Sequence, residues 1–235
     1  MIEAFEIVST FNKISGLMVL PEESGKFPCA VLSHGLISSK ESSKYTLLSE
    51  RLADAGIASC RFDYHGCGES GGRIEETTLT IRLDNLNAIV DYVLRHQKIN
   101  AGKIGIVGSS FGGTTGLIKT ARDKRIQCAS FWATPCFLEK EGDDSIDGIV
   151  FKDDIYADFA TYDILAEARK VSHAFVIHGE ADETVPCIEG KQIYDNLAQP
   201  KDIDIIEGGD HIFSDPVHRD RAINHVLNWF RTYLF

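Results

Sequence analysis

The chain predicts an α/β fold: a mainly parallel, eight-stranded sheet with helices on both faces and a small cap insertion. Three observations carry that expectation. From Val31 onward, short apolar runs alternate with stretches of helical periodicity, the pattern of strands joined by crossover helices. Several runs are apolar at consecutive positions, as strands covered on both faces must be. The 235 residues suit one domain, 1–235, long enough to bury a sizeable core.

The elements follow in order. "IEAFEIVST" and "ISGLMVLP" alternate in polarity and read as two antiparallel strands with a turn near Asn12 and Lys13. "FPCAVLSHG" is a strand buried on both faces. A helix runs from Glu41 to Ala55, with Tyr45, Leu48, Leu52 and Ala53 on one face, and Gly56 ends it. "IASCRFDYHG" is the next strand. Leu79, Leu83, Leu86, Ile89, Val90 and Val93 form the apolar stripe of a helix over Thr78 to His96. "KIGIVGSS" is a strand, Phe111 to Arg122 a helix, and "QCASFWAT" and "HAFVIHGE" are strands. Ile188 to Leu197 is a helix, and "KDIDIIEGG" is the last strand. Ile223, Val226, Leu227, Phe230 and Leu234 mark the closing helix.

One interval breaks this rhythm. About forty residues separate Thr134 from His173, more than an ordinary connection needs. The segment 135–170 is therefore expected to form a small helical cap that sets the acyl or alcohol pocket; a peripheral excursion is the alternative. Its acids Glu139, Glu141, Asp143, Asp144, Asp147, Asp153, Asp154, Asp158, Asp163 and Glu167 outnumber Lys140, Lys152, Arg169 and Lys170. Lining an entrance, they would disfavour polyanionic substrates such as acyl-CoA; the alternative is that they face solvent.

Bulk composition narrows the classes of function. A net charge of −11 without a Lys/Arg cluster argues against nucleic-acid binding. No run of about 18 apolar residues is present, so no membrane span is expected. "MIEAFEIVSTFN" lacks the basic and apolar regions of a signal peptide. The six cysteines form no C-x-x-C pair and several lie in apolar runs, so they read as reduced core residues, which points to the cytoplasm. No metal-ligand spacing and no cofactor motif of weight is found. The oligomeric state stays open, a homodimer included.

The chemistry starts at "KIGIVGSSFGG". Gly108-Ser109-Ser110-Phe111-Gly112 matches G-x-S-x-G in one register only, with Ser110 as its serine. A nucleophile on a sharp strand-to-helix turn takes strained backbone angles, and glycines two residues away let the chain pass closely. The Phe111 N–H, at the start of the following helix, would then face a developing oxyanion. A serine needs a base and the base an orienting acid. His211, in the glycine-flanked loop "EGGDHIFSDP", follows the last strand. The acid should come from "HGEADETVP", where Asp182 can turn back to His211; Asp210, adjacent to the histidine, is the rival. The second oxyanion donor is expected in "SHGL", where Gly35 lets the Leu36 N–H point into the site and His34 shapes the loop.

"SHGL", "FDYHGCGES", "GSSFGG", "HGEADETVP" and "GGDHIF" together resemble the α/β-hydrolase superfamily, in order and spacing, over nearly the whole chain from Cys29. The nearest branch resembles small bacterial esterases, including cinnamoyl and feruloyl esterases. The resemblance implies a catalytic Ser110, Asp182 and His211, an oxyanion hole from the Leu36 and Phe111 N–H groups, no cofactor, no metal, and a small-molecule ester as substrate. Where that family usually has G-H-G after the fourth strand, this chain has Gly66-Cys67-Gly68.

Other readings fit the residues less well. Gly66 to Gly71 also spells G-x-G-x-x-G, but the helix starts only near Thr78, too late for a dinucleotide site. A serine nucleophile argues against dehalogenase, epoxide-hydrolase and dienelactone-hydrolase chemistry. The expectation is a serine esterase cleaving small or medium acyl or aromatic esters. Thioesterase, peptidase or amidase, and carbon–carbon hydrolysis by the same triad are alternatives. A non-catalytic binding protein on a hydrolase fold is the rival from another class.

Overall fold

The computed structural model describes residues 1–139, 145–146, 148–152 and 154–235. Its elements in chain order are β1 (Ile2–Val8), β2 (Lys13–Val19), β3 (Phe27–Ser33), α1 (Ser43–Asp54), β4 (Ala58–Phe62), α2 (Leu79–Arg95), β5 (Ile99–Ser109), α3 (Phe111–Arg122) and β6 (Ile126–Trp132). There follow β7 (Ser145–Ile146), β8 (Ile149–Val150), α4 (Asp154–Phe159), α5 (Ile164–Ala168), β9 (Ala174–Gly179), α6 (Cys187–Asn196), β10 (Lys201–Ile206) and α7 (Pro216–Leu234). Eight strands form one sheet in the order β1-β2-β4-β3-β5-β6-β9-β10. β1 pairs antiparallel with β2, and β2 antiparallel with β4, while the remaining pairings are parallel.

The apolar runs split residue by residue between two faces, as the strand period requires. Cys29 and Val31 of β3 and Ile104 and Ile106 of β5 pack with Leu86, Ile89, Val90 and Val93 of α2. Ala30, Leu32 and Val107 face the other way, onto α1 and α7, through Leu48, Leu52, Ile223, Val226 and Phe230. Each such fully buried side chain contributes about 1.5–3 kcal/mol. Side chains also define the helix starts. Thr78 accepts from the Ile81 N–H to cap α2, and Asp215 accepts from the Val217 N–H to cap α7, with Pro216 in its first turn.

Part of segment 135–170, the expected small cap, lies outside the described residues. Its described part is a two-stranded ladder, β7–β8, and two short helices, α4 and α5. Phe151, Ile155, Phe159 and Ile164 are buried in one cluster with Leu117 and Ile118 of α3. Burying that apolar face pulls the segment down onto α2 and α3. Its acids reinforce the seat: Asp158 accepts from the backbone and hydroxyl of Thr80, and buried Glu167 pairs with Arg122 and Lys170. Asp163 caps α5 and Asp154 is exposed. Glu141, Asp143, Asp144, Asp147, Asp153 and Lys140 lie outside the described residues.

The glycines of the serine turn are required by close approach. A Cβ at Gly112 would overlap the carbonyl oxygens of Ser33 and His34, and one at Gly108 would overlap the carbonyl of Gly112. Gly112→Ala should therefore destabilise the fold by about 1–3 kcal/mol. Gly102→Ala, where the nearest atom stands at 3.5 Å, should leave the urea midpoint nearly unchanged. Equal midpoints for the two variants would contradict this packing.

Candidate active site

Four loops at the carboxyl ends of β3, β5, β9 and β10 meet on one edge of the sheet. β3 lies between β4 and β5, where the strand order reverses, the place where open α/β sheets form a crevice.

Ser110 stands between β5 and α3 with φ 55° and ψ −132°, in the left-handed half of backbone space that non-glycine residues rarely enter. Its N–H is held by the Trp132 carbonyl at 2.8 Å, and its own carbonyl accepts from Gly113 and Thr114 in the first turn of α3. The residue occupies the N-cap, yet its side chain makes no capping bond. Oγ instead faces His211, donating to Nε2 at 3.0 Å.

His211 Nδ1 donates to Asp182 Oδ2 at 2.8 Å. The other oxygen of Asp182 accepts from the Thr184 and Val185 N–H groups at 2.9 and 2.8 Å. Burial of the carboxylate opposes ionisation, but hydrogen bonds from His178, His211 and Val185 outweigh it and hold the group well below the usual carboxylate range. The two Asp182–His bonds thus use one oxygen and the backbone bonds the other. Asp210, the rival acid, bonds the Ser214 N–H in its own loop.

His178 escaped the reading of the sequence. It is fully buried, four residues before Asp182; its Nε2 is 2.9 Å from the Val185 carbonyl and 3.2 Å from Asp182 Oδ2. Its Nδ1 has no partner among the described residues and faces α6, where a Cβ at Gly190 would overlap it. "HGEAD" contains the signal, a histidine one turn-length ahead of the acid.

The loop after β3 is fixed from below. The Tyr64 N–H donates to His34 Nε2 at 3.0 Å, so that nitrogen is the acceptor and Nδ1 carries the proton, which it donates to the Gly35 carbonyl at 2.7 Å. Burial, with Arg82 nearby, pushes the imidazole pKa well down and keeps it neutral. Arg82 Nη2 also reaches Gly35 O at 3.1 Å, and bonds His34 O. This guanidinium is fully buried, 3.7 Å over the Tyr64 ring, and forms no ion pair among the described residues. Cys67 lies beneath too, its thiol 3.6 Å from Leu36 O. With the Gly35 carbonyl held from one side, the trans peptide turns the Leu36 N–H the opposite way. Neither that N–H nor that of Phe111 has an acceptor among the described residues. Arg82 could have been found, since it sits at an apolar position of the 79-82-86-89-93 stripe, whereas Leu83 is only partly buried.

A cleft of about 840 Å³ opens over Ser110. Leu36, Ile37 and Ile212 supply its apolar wall, and Lys44, Glu183, Asp210 and Arg219 its charged groups. A Cβ at Gly35 would stand 3.4 Å from Ser110 Cβ, in the space an acyl carbon needs. None of the described residues of 135–170 lines this cleft. The expectation that this segment's acids border the entrance is thus not met at the positions described: Asp158 and Glu167 seat the segment, while Glu139, Asp154 and Asp163 are exposed. Among the described residues, no cluster of three metal-ligating side chains occurs and no helix is long and apolar enough to cross a membrane.

Residues 43–235 match the prolyl oligopeptidase family, and the chain belongs to it. It has the α/β-hydrolase fold. An uncharacterised 31.7 kDa protein of Escherichia coli is 27% identical over 109 residues, 46% of this chain and 38% of that protein, so the match spans well under half of this relative's length. The mouse (Mus musculus) mitochondrial palmitoyl-protein thioesterase ABHD10 is 27% identical over 86% of this chain and 73% of its own. Among solved structures, Est1E of Butyrivibrio proteoclasticus, with ferulic acid bound, superposes with a TM-score of 0.87 over 97% of this chain and 100% of its own, at 21% identity. That likeness is one of fold.

The depressed Asp182 carboxyl links the site to stability. A carboxylate whose folded pKa lies below its unfolded value, about 3.9, stabilises the fold above that value and loses the contribution as pH falls through the folded pKa. Wild-type urea midpoints should therefore drop on acidification below about pH 4 more steeply than those of Asp182→Asn. Parallel curves would contradict the linkage.

Proposed function

We propose that this member of the prolyl oligopeptidase family is a serine hydrolase of small or medium carboxylic esters, acting through an acyl-enzyme on Ser110. One observation supports the reading above all: a strained serine whose hydroxyl meets His211 at 3.0 Å, with two unpartnered N–H groups alongside. In this mechanism His211 Nε2 takes the Ser110 proton as Oγ attacks the carbonyl carbon. The Leu36 and Phe111 N–H groups hold the oxyanion, each contributing about 3 kcal/mol. Asp182 keeps the proton on Nδ1 and stabilises the imidazolium. His211 then protonates the departing alcohol, and a water deprotonated by His211 releases the acid. Arg82 acts as a positioning residue, through the Gly35 carbonyl and the Leu36 N–H.

Thioester cleavage is the second reading, favoured by the similarity to the mouse palmitoyl-protein thioesterase along most of both chains. The family's name raises peptide cleavage as the third. Segment 135–170 is proposed as an insertion that buttresses Phe111 through Phe159, whose rings lie 5.7 Å apart.

A fluorophosphonate probe should label Ser110, and Ser110→Ala should lose p-nitrophenyl ester hydrolysis by a factor on the order of 10⁶. Near-wild-type activity in that variant would place the nucleophile elsewhere. Turnover of acyl-CoA or peptides well above that of esters would favour the second or third reading. Arg82→Lys should lower kcat by about 10- to 100-fold with little change in KM, since the oxyanion forms only after binding. An equal effect on KM alone would assign Arg82 to packing.

A further inference from the structure

The cleft holds two cations that the mechanism leaves unused. Lys44, in the first turn of α1, is half-buried, and its Nζ donates to Ser109 Oγ at 2.7 Å, one residue from Ser110. Among the described residues no carboxylate comes within ion-pair distance of it, so a single hydroxyl oxygen accepts from one of its three N–H donors. Arg219, in α7, faces the same cleft. Its Nε is buried without a partner, and its guanidinium forms no ion pair among the described residues. The first turn of α1 adds to this, because Ser42 makes no side-chain cap and no acid occupies that turn. By contrast, buried Lys40 is matched to Asp63 and Glu69, and buried Lys119 to Asp123. Desolvated cations are ordinarily matched by an anion.

We propose that Lys44 and Arg219 form a carboxylate-binding subsite, so that the substrate is an ester bearing a second, ionised carboxyl group a short chain away from the scissile carbonyl. This rests on the serine-hydrolase reading above and names its substrate class. The charge is single. Glu183 and Asp210 line the same cleft, so a dianionic phosphate or a polyanion meets two repelling carboxylates along with the two cations. Acyl-CoA is disfavoured by these two residues. Burial lowers the Lys44 pKa to about 8, against the pull of Asp210 and Asp182. Asp182 and Asp210 are themselves held below the usual range and stay ionised. Recognition of the carboxylate should thus weaken as pH rises through about 8.

The test compares p-nitrophenyl monoesters of succinic, glutaric and adipic acid with their uncharged methyl diesters. At pH 7 the wild type should prefer the charged member of at least one pair, and Lys44→Met should reduce that kcat/KM ratio by about 10- to 100-fold, chiefly through KM. Lys44→Arg should restore most of it. Lys124→Met, at a cation outside the cleft, serves as the unaffected reference. A ratio near one in the wild type, unchanged in Lys44→Met, overturns the subsite while ester turnover leaves the hydrolase reading standing. Should no ester turn over, free glutarate is tested for slowing fluorophosphonate labelling of Ser110. Slowing in the wild type and none in Lys44→Met supports the subsite; labelling unaffected by glutarate overturns it. Absence of labelling in folded protein overturns the hydrolase reading itself, and the subsite with it.

Discussion

The site depends on one backbone constraint, the turn at Ser110. With φ 55° and ψ −132°, the chain reverses from β5 into α3 within a single residue, and the serine side chain is thrown clear of the helix it begins. Strain of this kind costs on the order of 1–3 kcal/mol and persists only where the surroundings over-determine it. Here they do. The Trp132 carbonyl holds the serine N–H, the first turn of α3 takes its carbonyl, and Gly108 and Gly112 let β5, β3 and α3 close to backbone contact. Everything else at the carboxyl edge of the sheet is arranged around a hydroxyl whose position is given by main chain alone.

Charge beneath the loop after β3 is handled in two ways. Lys40 and Asp63 form a matched buried pair that the exposed Glu69 extends, and Asp63 also accepts the Lys40 and Glu69 N–H groups. Arg82 has no such match and spends its donors on the carbonyls of His34 and Gly35, with Tyr64 packed on its face. The first arrangement ties loops together. The second orients one peptide plane, and it leaves Arg82 Nε and Nη1 unpartnered, a cost that a purely structural residue would have little reason to carry.

Much of this was legible in the sequence, for physical reasons that can be named. Continuous apolar runs can only be strands covered on both sides, so the sheet and its helices followed from "FPCAVLS" and "KIGIVG". Gly108 and Gly112 frame one serine and not its neighbour, because only Ser110 has glycine on both sides at two residues' distance. Asp182 and His211 lie in loops at the same sheet edge, and their meeting is a consequence of parallel strands. Less local features were harder to read. Arg82 looks like a solvated helix residue until the stripe is drawn through it, and its target belongs to a loop 47 residues earlier. The seat of 135–170 depended on whether Phe151, Ile155 and Phe159 would face α3 or the cleft, a tertiary choice that amphipathic spacing leaves open. Lys44 gave no signal at all, since a lysine in the first turn of a helix is ordinary until its surroundings are known.

The unpartnered Nδ1 of His178 has a consequence for how this chain can diverge. Gly190 sits on the far side of that imidazole, on α6, outside the cleft lining. A single added methyl there would push the ring toward Asp182, and through it disturb the tilt of His211. Lineages carrying this histidine are therefore restricted at a helix position that touches neither substrate nor triad. Replacing the histidine by a smaller residue would lift that restriction, so drift at 178 and 190 should be historically linked.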